Sequence, residues 1–196
     1  MDSLEGLVSN IWFTSDLHFG HTRLLEFCRS TRRGETIEEH DELLVEAFNS
    51  VIKKGDTLYI LGDECLGDRD EGYANISRIN GQKHLIRGNH TQLRKQEHKD
   101  VFESISDLKK ISIKLEDGKK QQIIMCHFPI AEWENAHNGS IHLFGHLHGN
   151  TKNIKHLLQY KCMDVGIDAR NGNLMLPFHI DEVLDKVKNR DIMTHH

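Results

Sequence analysis

The chain has 196 residues and a formal net charge of −5, with 37% hydrophobic and 28% charged residues. This length allows one domain with a substantial core, and the composition is ordinary for a globular protein. The acidic balance argues against a broad groove for nucleic-acid backbones, which is normally basic.

We interpret residues 1–196 as a single domain, with a histidine tail at 195–196. The chain has neither a basic, apolar start nor an apolar run of about 18 residues, so we expect no signal peptide and no contact with membranes. Its four cysteines form no CxxC pair, which favours a reducing, cytoplasmic location over a disulfide framework.

Apolar runs bounded by turn residues predict strands that alternate with helices. Strands are predicted over 10–16, 56–63, 83–90, 140–149 and 160–168, and helices over 36–54, 73–80 and 181–190. A capping box of Thr36 and Glu39 opens the first helix, and Gly55 closes it. Residues 109–129 predict a hairpin with its turn at Asp117-Gly118. This order indicates an α/β fold with mixed sheets.

Five predicted strands end in loops that carry Asp, His or Asn. The endings are Asp16-Leu17-His18, Gly62-Asp63, Gly88-Asn89-His90, His127 and Gly145-His146-Leu147-His148. Each ending alone is also ordinary turn chemistry. Together they offer carboxylate, amide and imidazole ligands at strand ends, where sites in α/β proteins gather. Seven such ligands suit two metal ions that keep open positions for water and substrate.

The ordered blocks DxH, GD, GNH, H and GHxH resemble those of calcineurin-like metallophosphoesterases. The opening SDLHFGH, followed by FCR, is similar to the small bacterial and phage-type members. The resemblance implies two mixed β-sheets packed as a sandwich and flanked by helices (αββα), with the site at the strand ends. It also implies one ion on Asp16, His18 and His148, a second on Asn89, His127 and His146, and Asp63 as the bridge.

The same resemblance implies a dinuclear phosphoesterase that uses two divalent ions, with Mn first and Fe, Zn, Ni or Co as alternatives. A metal-bridging hydroxide would attack phosphorus in line with the leaving oxygen, and His90 would protonate that oxygen or contact the phosphate. The expected substrate is a small phosphodiester, including nucleotides. A phosphomonoesterase and a nucleotide pyrophosphatase are the alternatives, and a non-catalytic binding module is disfavoured because no ligand is missing.

Two departures weaken a protein-phosphatase interpretation. The blocks GDECLGD and GNHT stand where protein phosphatases of this superfamily have GDxVDRG and GNHE. Leu66 occupies the place of the aspartate that orients the catalytic histidine there, and Thr91 replaces the acid. The partner of His90 is therefore open, with Glu64 and Asp68 as candidates.

Residues outside the metal-binding set are harder to assign. His21 and Arg29 match the phage-type opening and are predicted to contact the substrate, although a surface salt bridge explains Arg29 equally well. The Arg32-Arg33 pair is interpreted as a solvated loop. His137 and His142 flank the NGS turn, where a structural role is favoured and a position at the pocket rim is the alternative. The sequence leaves the oligomeric state open.

Overall fold

The computed structural model describes residues 10–115, 117–170, 172 and 174–194, so the predicted tail at 195–196 lies outside the described residues. Two mixed β-sheets pack face to face and helices flank them, as the sequence predicts. None of the helices within the described part of the chain has the length and apolar content needed to cross a bilayer.

Nine strands and five α-helices make up the described fold. The strands are β1 (Ile11–Thr14), β2 (Thr57–Ile60), β3 (Gln82–Ile86), β4 (Ser104–Ser106), β5 (Leu108–Lys114), β6 (Lys120–Cys126), β7 (Ile141–Phe144), β8 (Cys162–Asp164) and β9 (Phe178–His179). The helices are α1 (Leu24–Phe27), α2 (Ile37–Val51), α3 (Arg69–Arg78), α4 (Gln96–Asp100) and α5 (Ile180–Val187).

Parallel pairing brings the functional strand ends together. The first sheet has the order β4-β3-β2-β1-β9, in which only β9 runs antiparallel. The second has the order β5-β6-β7-β8, in which only β5 runs antiparallel. A bridge between Ser15, just after β1, and Gly166, just after β8, joins the two sheets. The carboxyl ends of the parallel strands of both sheets therefore meet at one edge of the sandwich.

Apolar side chains from the two sheets interlock between the layers. Phe13 and Ile86 from the first sheet and Met125 and Leu143 from the second are fully buried in this core. A second core lies on the outer face of the first sheet, where Phe48 of α2 is also fully buried. These two layers hold the strand ends in fixed positions relative to one another.

Capping explains where the longer helices begin. The Thr36 side chain accepts a hydrogen bond from the Glu39 backbone N–H at 3.2 Å, which confirms the predicted start of α2. This helix stops at Val51 instead of Gly55, because Ile52 turns to an extended conformation and is fully buried. Helix α3 begins four residues earlier than predicted, because Asp68 caps it by accepting two backbone N–H groups.

The predicted hairpin is confirmed by the antiparallel pairing of β5 with β6. The other strands were predicted too long. Strand β1 ends at Thr14 and β2 at Ile60, because a left-handed residue follows two positions later, Asp16 after β1 and Gly62 after β2. Helices α1 and α4 and strands β4 and β9 were not predicted, since two to five residues are too few to display a hydrophobic period.

His142 fastens the loop that follows His127. Its Nδ1 donates to the Ile124 carbonyl oxygen and its Nε2 accepts the Ile130 backbone N–H, each at 3.1 Å. Both contacts are made by a neutral imidazole, and burial lowers the pKa of His142 to about 4. The predicted structural role of this histidine matches these contacts.

Acid should therefore weaken the fold in part through His142. Its pKa falls from 6.5 in the unfolded chain to about 4 in the fold, so between those values only the unfolded chain binds the proton. Unfolding free energy should drop by about 3 kcal/mol as the pH falls through this window. In urea titrations at pH 7 and pH 4.5, His142→Gln should lose much of that difference. The exposed-histidine control His156→Gln should keep it, and equal pH dependence in both variants would contradict this role.

Candidate metal centre

Five loops at the shared edge of the sandwich carry the ligands that the sequence predicts. Asp16 and His18 follow β1, Asp63 follows β2, Asn89 follows β3, His127 follows β6, and His146 and His148 follow β7. The strand register fixes these loops, because each one starts from a strand that is paired on both sides. Residues up to 132 positions apart in the sequence thus converge on one site.

The ligand atoms form two groups. Asp16, His18 and His148 offer ligand atoms that all lie within 4.8 Å of one another. Asp63, His127 and His146 form a second group with the same spread.

Asn89 joins the second group through His127. The Asn89 Oδ1 lies 3.0 Å from the His127 Nε2, and the Asp63 Oδ2 lies 3.4 Å from the same nitrogen. The structure therefore brings all seven predicted ligands together, in two neighbouring sets.

Five of the seven ligand residues adopt left-handed backbone conformations. Their φ angles are 58° at Asp16, 52° at His18, 51° at Asp63, 70° at His146 and 49° at His148. Such angles are uncommon outside glycine, although Asp and His tolerate them better than most residues do. The left-handed turns bend three of the five loops, those after β1, β2 and β7, at the common edge.

Two glycines let the loops approach closely. A Cβ at Gly145 would collide with the Ser15 hydroxyl and would lie 2.6 Å from the Asp16 Oδ2. A Cβ at Gly88 would collide with the Asp63 carboxylate. Gly145 of GHLHG and Gly88 of GNH are therefore required sterically, because any larger residue would collide with the neighbouring loop.

Backbone groups orient the ligand side chains. The His127 Nδ1 donates to the Leu61 carbonyl oxygen at 2.7 Å, which holds its Nε2 toward the oxygens of Asp63 and Asn89. The His146 N–H donates to the Asp16 Oδ2 at 2.9 Å, and the His90 N–H donates to the Asp63 Oδ1 at 2.8 Å.

A buried ion pair, which the sequence did not predict, supports the first group. The Arg32 guanidinium binds the Asp168 carboxylate through two hydrogen bonds of 2.7 and 2.8 Å, and its side chain is 0% exposed. It also donates to the backbone carbonyls of Asp16 and Leu17. The Asp168 Oδ2 accepts from the His148 Nδ1 at 2.7 Å.

The interpretation of Arg32 as a solvated residue is therefore wrong. Its local sequence looks like a surface basic pair, and its partner Asp168 lies 136 residues away. The sequence contains a signal for Asp168, because this residue ends the predicted strand 160–168 in the same way that the predicted ligands end their strands.

Ionisation differs sharply between two facing imidazoles of the first group. Burial and the neighbouring His148 lower the pKa of His18 to about 3. Burial opposes charge on His148 too, but the hydrogen bond with Asp168 outweighs it and raises the pKa of His148 to about 10. Burial disfavours the charged form of Asp168 as well. Its pKa is nevertheless well below the ordinary value, because His148 and Arg32 donate hydrogen bonds to the carboxylate.

These residues fit divalent cations. The Nε2 atoms of His18 and His148 lie 3.3 Å apart. A hydrogen bond between them requires that one nitrogen carries the proton and the other accepts it. Asp16 is 0% exposed, yet its buried Oδ1 has no hydrogen-bond partner among the described residues. Buried acceptors ordinarily find a partner, and a bound cation would supply one here.

A cavity of about 460 Å³ opens above both ligand groups. His90 and His21 line it, and their rings lie 5.9 and 5.6 Å from the ring of His18, measured between centroids. Arg29 lines a different cavity, beside Arg33. The structure thus brings His21 and His90 to the metal-binding groups and does not bring Arg29 there, so a substrate contact by Arg29 stays a prediction.

Both candidate partners of His90 are engaged elsewhere. The buried Glu64 accepts hydrogen bonds from the Tyr73 and Thr91 hydroxyls, each at 2.7 Å. Thr91 in turn accepts the Gly88 N–H, so Glu64 braces the GNH loop through Thr91. Asp68 caps α3. Thr91 thus has a structural role in the place where protein phosphatases carry an acid.

Asp168→Asn should loosen the first ligand group. The amide cannot serve Arg32 and His148 as the carboxylate does, so Mn²⁺ affinity measured by calorimetry should fall about 10- to 100-fold. Unfolding free energy of the metal-free protein should fall by about 3–5 kcal/mol, because a buried guanidinium loses its counter-charge.

Thr31→Val is the matched control for that variant, since it removes a single neutral donor to the same carboxylate. It should change the unfolding free energy by about 1 kcal/mol and leave the Mn²⁺ affinity nearly intact. Unaltered metal affinity in Asp168→Asn would show that this carboxylate does not position His148.

Comparisons with known proteins agree with the geometry. The calcineurin-like phosphoesterase family matches residues 9–150. The Gene 66 protein of Mycobacterium phage L5 is 34% identical over 206 residues, covering 93% of this chain and 96% of the phage protein. The Gene 66 protein of Mycobacterium phage D29 is 26% identical, with coverage of 93% and 98%.

A solved structure shares the fold. The crystal structure of a protein of unknown function from Aquifex aeolicus matches 91% of this chain and 100% of its own, with a TM-score of 0.68 and 21% identity. The family match spans most of the chain and contains all seven predicted ligand residues. The chain therefore belongs to the calcineurin-like phosphoesterases, a family of metal-binding hydrolases that act on phosphoric esters.

Proposed function

We propose that this protein is a dinuclear metal-dependent phosphodiesterase that acts on a small substrate. The observation that carries the proposal is the placement of two groups of candidate metal ligands beneath one cavity that His90 also lines. In the proposed assignment, Asp16, His18 and His148 bind one ion and Asn89, His127 and His146 bind the other, with Asp63 shared between them.

The two ions, with Mn²⁺ as the first candidate, would neutralise charge on the phosphoryl oxygens and lower the pKa of the attacking water. The protein itself would position the substrate and supply the proton for the leaving oxygen. The braced GNH loop holds His90 beside His18, where its imidazole can give a proton to the leaving oxygen. His21 lies next to His18 as well, and from there it would contact the substrate.

The lining of the cavity favours diesters over the alternatives. No lysine or arginine is among the described residues that line it. A diester carries one negative charge, whereas a monoester or a pyrophosphate carries more and would gain from additional cations. The volume of about 460 Å³ lies within the range of small-ligand sites and accommodates a phosphate with its substituents.

Model substrates test this proposal directly. The purified protein should bind two Mn²⁺ ions per chain and hydrolyse bis(p-nitrophenyl) phosphate with a higher kcat/KM than p-nitrophenyl phosphate. Removal of the metal by EDTA should abolish both activities, and Mn²⁺ should restore them. A higher kcat/KM on the monoester would favour a phosphomonoesterase instead, and a metal-loaded protein inert toward both substrates would overturn the proposal.

A further inference from the structure

One wall of the cavity above the ligand groups is apolar. Leu24, Phe27, Leu66 and Leu147 line it together with the histidines. Phe27 is 63% exposed, which makes it the most exposed large hydrophobic side chain among the described residues. Its ring thus faces solvent at a cavity whose other residues include metal ligands.

The short segment around α1 holds this phenylalanine in place. Leu24, one turn earlier, is buried and anchors the segment, and the Cys28 N–H donates to its carbonyl oxygen at 2.8 Å. The Arg23 guanidinium lies 4.8 Å from the centroid of the Phe27 ring. Cys28 approaches His148, with 3.9 Å between its Sγ and the His148 Nδ1, so the segment is tied to the first ligand group.

The chemistry of this wall indicates what it can bind. An exposed ring offers a flat apolar face, and aromatic groups gain by stacking on such a face. The described residues that line the cavity include no lysine or arginine, and the Arg23 guanidinium lies against the Phe27 ring without lining the cavity. The part of a ligand that lies away from the ions is therefore expected to be uncharged. A phosphate at the ligand groups with a flat, neutral ring at Phe27 satisfies both conditions, and a nucleobase is a ring of this kind.

We propose that Phe27 is a stacking site for an aromatic ring esterified to the phosphate of the substrate. The inference rests on the proposed function, because it takes the ligand groups as the site of the phosphate. It deepens that function by naming the substrate class as aryl or nucleoside phosphate esters. Phe27 then selects the substrate through its ring, while the ligand groups hold the phosphate that all esters share.

A pair of ligands that differ only in the ring tests the proposal by binding. Phenyl phosphate and methyl phosphate carry the same charge, and their affinities for the Mn²⁺-loaded protein can be measured by calorimetry. Phenyl phosphate should bind about tenfold more tightly than methyl phosphate. Phe27→Ala and Phe27→Leu should both bring this ratio close to one, whereas Phe27→Tyr should keep it.

Leu108→Ala is the matched control, since Leu108 is also exposed, at 51%, and does not line the cavity. It should keep the full ratio. Equal affinities for the two ligands in the unmodified protein, or an unchanged ratio in Phe27→Ala, would overturn the stacking site while leaving the phosphodiesterase proposal intact. If neither ligand bound the metal-loaded protein, the stacking proposal would be overturned, whereas the phosphodiesterase proposal would still be decided by its own test on bis(p-nitrophenyl) phosphate.

Discussion

Asp63→Asn is expected to lower phosphodiester turnover by about 10³-fold and to remove metal from both ligand groups. The proposed assignment places this carboxylate between the two ions, so its charge stabilises both of them. Loss of charge stabilisation worth several kcal/mol corresponds to a rate decrease of this size. Elemental analysis after dialysis should find well below two Mn²⁺ ions per chain.

The replacement amide keeps an oxygen that can accept the His90 N–H, which Asp63 Oδ1 now accepts at 2.8 Å. The fold should therefore survive, and circular dichroism and urea unfolding check this. Asp107→Asn is the control, since Asp107 is an exposed carboxylate that pairs with Arg87 at the surface. Two ions retained at unchanged affinity in Asp63→Asn would contradict the bridging role.

His90→Ala should keep both ions and slow the reaction by about 10²- to 10⁴-fold, the usual contribution of a general acid. The decrease should grow as the leaving group becomes poorer, because a poor leaving oxygen depends more on the donated proton. A series of methyl aryl phosphates, from p-nitrophenyl to phenyl, measures this dependence. The slope of log kcat against leaving-group pKa should become steeper in the variant.

His21→Ala gives the comparison for His90→Ala, because His21 lines the same cavity and its ring also lies beside His18. If His21 contacts the substrate, its replacement by alanine should slow turnover to a similar extent for every leaving group. Uniform slowing in His90→Ala would assign His90 to phosphate binding. A steeper slope in His21→Ala alone would move the acid role to His21.

The sequence pointed to residues that the structure brings together, because each of the seven predicted ligands follows an apolar strand. Asp16 and His148 are 132 residues apart, yet both stand at strand ends, and parallel strands present those ends at one edge. The mixed α/β fold and the hairpin followed from the same apolar periods.

What the sequence could not predict depends on contacts between distant segments. Arg32 looked like a surface residue because its counter-charge, Asp168, comes from a loop 136 residues later. The lengths of β1 and β2 were overestimated because apolar alternation does not reveal a left-handed turn at Asp16 or Asp63. The partners of Glu64 were hidden for the same reason, since its burial against Tyr73 and Thr91 is a property of the assembled fold.

The left-handed conformations of the predicted ligand residues lower the stability of the metal-free fold while they position the residues for metal binding. Each such conformation costs a non-glycine residue about 1 kcal/mol or more, and five ligands bear that cost at once. Glycine at His146 would relax the backbone and stabilise the metal-free fold, while it removed a proposed ligand. Selection for thermal stability alone should therefore enrich variants that have lost activity. Selection in the presence of metal should retain the strained residues, because bound ions stabilise the native state in which these residues are displayed.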